Sequence, residues 1–108
     1  MAAARKKAGK PIKVTDELAA IRCATGIGAI REEVWKDEDG VVVRYNLAFI
    51  NFESFAGDNG RVLGYDTAHG FPHRHFAGVV EAIAPAEYDE VYYRFIAEVG
   101  KLKRRRKL

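Results

Sequence analysis

One cysteine, one methionine, one tryptophan and three prolines in 108 residues set the first limits on this chain. The lone Cys23 has no partner for an internal disulfide, which fits a reducing compartment and makes the cytoplasm the expected location. No apolar run approaches the roughly 20 residues of a membrane-spanning helix, so no membrane partner is expected. The basic start, Met1 to Lys7, has no apolar stretch behind it, unlike a secretory signal. Internal repeats and linker-like stretches are also missing, and a chain this short is expected to form one domain. With 48% hydrophobic residues it has the composition of a globular protein rather than a disordered one.

Acidic residues are missing from both ends. Eleven of the 18 basic residues lie in two acid-free stretches: Arg5, Lys6, Lys7, Lys10 and Lys13 in 1–13, and Lys101, Lys103, Arg104, Arg105, Arg106 and Lys107 in 101–108. The other seven face all 15 acids, a balance of −8. The chain therefore reads as a basic N-terminal tail (1–13), an acidic domain (14–100) and a basic C-terminal tail (101–108). Such tails attract RNA or DNA through counterion release, or serve only as solvated, solubilising segments.

Periodicity predicts an α+β fold: an antiparallel meander of about four strands covered by a C-terminal amphipathic helix, with a short N-terminal helix or strand. Ile30 to Lys36 and Val41 to Asn51 form a hairpin around Asp39-Gly40. Val41, Val43, Tyr45, Leu47 and Phe49 give its second strand an apolar face. Arg61 to Asp66 reads as a third strand and Phe76 to Ile83 as a fourth. Thr15 to Ala24 reads as a short helix with Thr15 as N-cap, or as a first strand with Leu18 and Ile21 buried differently. The last helix runs from about Pro85 past Val99, with Tyr88, Val91, Tyr92, Phe95, Val99 and Leu102 on one stripe.

Chemistry is concentrated between Gly64 and His75, where all three histidines accompany an acid and an arginine. Imidazoles titrate near neutrality and suit acid/base work on a phosphodiester, while arginine holds phosphate through paired hydrogen bonds. If 73–75 is strand, His73 and His75 share a face and Arg74 points to the other; if it is loop, all three converge. Asp66 and Tyr65 are placed to orient an imidazole and supply a second donor. A rival reading makes His73, His75, Asp66 and His69 a divalent-metal site. A third gives the histidines only strand-capping roles. Elsewhere, Cys23 reads as a small core residue, Gly26-Ile27-Gly28 is too short for a phosphate loop, the acids from Glu32 to Asp39 read as a solvated hairpin face, and Trp35 is expected to pack on the sheet.

The order of hairpin, Arg61-Val62-Leu63-Gly64-Tyr65-Asp66, a Gly-containing loop, His73-Arg74-His75 and a closing amphipathic helix resembles the TumE-type toxins of bacterial toxin-antitoxin pairs, over roughly residues 30 to 100. Thr67 stands where the family pattern has Asn. The resemblance implies a growth-inhibiting toxin acting on RNA and neutralised by a cognate DNA-binding antitoxin. It implies a metal-independent endoribonuclease that needs no cofactor. One of His73 and His75 takes the 2′-OH proton, the other or Tyr65 protonates the leaving oxygen, Arg74 stabilises the phosphorane and Asp66 orients an imidazole. Arg74 and the cations from Lys101 to Lys107 would contact the RNA. Two other classes stay open: a non-catalytic nucleic-acid-binding or regulatory module using the basic tails, and a protein whose acidic body engages a basic partner. An exposed sheet edge also offers pairing with a second copy, a homodimer.

Overall fold

The computed structural model describes residues 9–108, apart from the side chain of His69. Arg5, Lys6 and Lys7 of the basic N-terminal stretch therefore lie outside the described residues, as does any role of the His69 imidazole.

Six strands form one antiparallel sheet in chain order: β1 (Ile12–Cys23), β2 (Gly26–Lys36), β3 (Val42–Ile50), β4 (Arg61–Asp66), β5 (His73–Phe76) and β6 (Val79–Ala82). One helix, α1 (Tyr88–Leu102), follows. The α+β meander agrees with the sequence, and of the two readings of the segment from Thr15 the strand holds: it pairs along its length with β2 through the two-residue turn Ala24-Thr25, and Gly26-Ile27-Gly28 opens β2. One expectation is corrected. The expected fourth strand is a hairpin, folded at Ala77 and Gly78, whose φ values of 48° and 85° reverse the chain. Together these raise the count from about four strands to six.

The helix stripe follows its periodicity. Val91, Phe95, Val99 and Leu102 are buried against Tyr45, Leu47, Phe49, Leu63 and Tyr65, and each such aliphatic or aromatic burial contributes about 1.5–3 kcal/mol. The helix starts at Tyr88, later than Pro85, with Glu87 at its N-cap and Asp89 and Glu90 in the first turn, where the dipole favours acids. It includes Lys101, so the basic C-terminal run begins inside the helix, and Lys13 belongs to β1. On β3, Tyr45, Leu47 and Phe49 are buried as expected, whereas Val43, and Val41 just before the strand, are exposed. The pairs Lys36 with Val42 and Trp35 with Arg44 leave Val43 as an extra residue, and that bulge shifts the alternation by one.

The helix covers one face of the sheet over β3 and β4. The opposite face carries the side chains considered next. No helix among the described residues is long and apolar enough to cross a membrane.

Candidate catalytic cluster on the open face of the sheet

Strand register decides which of the sequence candidates meet. β5 is a strand, so His73 and His75 alternate with Arg74. His73 stands opposite Asp66 and His75 opposite Gly64, all on the open face, while Arg74 stands opposite Tyr65 on the helix face. Asp66, His73 and His75 are thus brought together. Tyr65 and Arg74 are separated from them by the thickness of the sheet.

Arg61 completes the open-face cluster. Phe49 pairs with Leu63 and Ile50 with Arg61, so Val62 is a bulge that turns Arg61 onto the same face as Gly64 and Asp66. Its Nε donates to Asp58 Oδ2 at 2.8 Å, its Nη1 to Asp66 Oδ2 at 3.2 Å and its Nη2 to His75 Nδ1 at 3.1 Å. Accepting at Nδ1 places the proton of the neutral His75 ring on Nε2. That Nε2 is shielded from solvent and lies 2.9 Å from Asp66 Oδ2, an ion-pair distance at which hydrogen-bond alignment is missed. His73 Nδ1 is 3.9 Å from Asp66 Oδ1, and the two imidazole centroids are 6.4 Å apart. Phe71 packs edge-on against His73 at 5.2 Å.

The cluster continues across the sheet. Asp16, Glu33, Asn46, Asp66 and His73 occupy successive register positions from β1 to β5. Glu33 accepts from Lys13 at 2.7 Å, Arg31 at 3.2 Å and Asn46 at 2.8 Å. The Arg31 bond, followed by the Lys13 bond, holds its carboxyl down at about 2, against the opposing effect of burial. The Glu33 neighbourhood is thus an ion-paired network rather than a solvated hairpin face. Trp35 does pack on the sheet, with the Arg44 guanidinium 4.3 Å from its ring centroid. A groove of about 340 Å³ runs between these groups, bordered by Trp35, Arg44, Asn46, Arg61 and Asp66.

On the helix face, Arg74 and the Tyr65 hydroxyl both bond to Glu98 of α1. Burial first, then the bond to Glu98, pushes the Tyr65 phenol up to about 12, and Glu98 raises the already high basicity of Arg74. This is a tie between sheet and helix. Beyond it, the cations from Lys101 to Lys107 make no ion pair among the described residues.

Arg61 and Glu98 were not singled out from sequence. Simple alternation places Arg61 with Leu63 and Tyr65, and only the bulge at Val62 reverses this. Among the described residues no three of His, Cys, Asp and Glu gather in a metal-binding group. No family model, no curated protein and no solved structure matches this chain.

Proposed function

We propose that this chain acts on RNA as the toxin of a toxin-antitoxin pair, cleaving a phosphodiester by proton transfer from the open-face cluster. The observation that supports this most is the placement of two imidazoles, a carboxylate and a guanidinium on one uncovered face, with 6.4 Å between the rings. That spacing suits two groups flanking one phosphate.

In this reading His73 takes the 2′-OH proton, with Asp66 orienting its ring and offsetting the imidazolium charge. The 2′-oxygen attacks phosphorus, the bond to the 5′-oxygen breaks, and a 2′,3′-cyclic phosphate is left. Arg61 replaces Arg74 as the cation at the phosphorane, because Arg74 is engaged by Glu98 on the other face. The substrate phosphate competes with His75 for Arg61. His75, released at Nδ1, takes up a second proton there from solvent and passes it to the leaving oxygen, in place of Tyr65, whose hydroxyl is buried beneath the sheet. A cognate antitoxin would be the neutralising partner, and the cytoplasm the site of action.

Induced expression of the wild type, His73→Ala and Arg61→Ala, each checked for folding, tests the reading. Growth arrest with new RNA ends carrying cyclic phosphate is expected only from the wild type. Equal toxicity of all three removes the cluster from the mechanism. A second reading, non-catalytic polyanion binding, rests on the cations from Lys101 to Lys107, which make no ion pair among the described residues. It requires His73→Ala to leave function intact while removal of 103–108 abolishes it.

A further inference from the structure

The two edges of the sheet differ. β6 ends it with four residues, whereas β1 leaves a 12-residue edge, Ile12–Cys23, with no proline inside it. Long edges with unpaired N–H and C=O groups are templates for strand addition. The hydrogen-bonding parity of β1 follows from its neighbours. Asp37 N donates to Val41 O, so the odd residues of β2 face β3 and its even residues face β1. The Cys23 to Gly26 closure of the two-residue turn has the same phase. The backbone N–H and C=O groups of Asp16, Leu18, Ala20 and Arg22 therefore point outward, away from the sheet.

We propose that the β1 edge pairs antiparallel with β1 of a second copy, about a two-fold axis through Ala19. Two independent features select that register. Val14 is a bulge, because Lys13 pairs with Trp35 and Thr15 with Val34, so the regular part of the edge is Thr15 to Cys23, whose centre is Ala19. The same centre sets Asp16 of each copy opposite Arg22 of the other, with Leu18 opposite Ala20. Shifting the register by two residues in either direction breaks both charge pairs. Arg22 is exposed and makes no ion pair among the described residues, while Asp16 keeps half of its side-chain surface open beside Lys13 and Arg31. Glu17 meets Ile21 across the axis, so no like charges face each other. The product is a closed, isologous dimer with a continuous 12-stranded sheet. Its two-fold axis is perpendicular to the sheet, which puts both helices on one side and joins the two polar faces on the other.

Sedimentation equilibrium of the full chain without RNA reads this out independently of any ribonuclease activity. The wild type is expected at twice 12.1 kDa. Arg22→Asp is expected to weaken association by about tenfold or more, and Asp16→Arg/Arg22→Asp to restore it. Ala20→Pro removes only an outward N–H, so it is expected to keep the circular dichroism of the wild type and to sediment as a monomer. A monomeric wild type, a dimer indifferent to both Arg22→Asp and Ala20→Pro, or an assembly larger than two overturns the proposal.

Discussion

Gly64 carries no side chain, and the space it leaves is taken by Arg61. A Cβ there would stand 2.7 Å from Arg61 Cδ and 3.1 Å from the Leu47 carbonyl oxygen. The arginine stem can swing away, but the β3 backbone cannot. Gly64→Ala is therefore expected to move Arg61 off Asp66 and His75 and to cost about 1–2 kcal/mol, measured by urea unfolding. If RNA cleavage is a function of the cluster, activity falls by more than the loss of folded protein explains. Arg74 illustrates the opposite case. It lies next to both histidines in sequence, yet the pleat sends it to Glu98, where it fastens the helix to the sheet.

At the scale of elements, the β5–β6 hairpin turns on an unfavourable residue. Ala77 has φ of 48°, in the region where a Cβ crowds the following carbonyl, and Gly78 has φ of 85°. Ala77→Gly or Ala77→Asn is expected to stabilise the hairpin by about 0.5–1 kcal/mol, seen as a higher urea midpoint with an unchanged slope. This hairpin looks like one strand in sequence because Ala77-Gly78 carries a weaker turn signal than Asp39-Gly40. The β2–β3 hairpin and the helix stripe were legible because their periods are long and their turn or cap residues conventional. β1 was ambiguous, since its exposed residues give no clean alternation and only the pairing with β2 decides between helix and strand.

For the whole molecule, the charge partition predicts an acid response. Glu33 has its carboxyl held at about 2 by Arg31 and Lys13, below its ordinary value of 4.5. A carboxylate depressed in the folded state contributes stability that is complete above the unfolded value and lost as pH falls through the folded one. Thermal stability is therefore expected to drop between about pH 4.5 and pH 2. Glu33→Gln should remove that part of the slope and lower stability near neutrality by about 1 kcal/mol, the partners being about one third exposed and so partly screened by solvent.

What the amino-acid sequence determined by itself was the α+β class, the central hairpin, the apolar stripe of the helix, the unequal distribution of charge, and the segment in which the histidines fall. These depend on short-range periodicity and composition, which a linear chain displays. Tertiary pairing decided the rest. A bulge at Val62 moved Arg61 into the cluster, the pleat of β5 divided His73 and His75 from Arg74, and the helix claimed Tyr65 and Arg74 through Glu98. Each of these turns on register between strands, and a shift of one residue exchanges the two faces of a sheet without altering the composition of any segment.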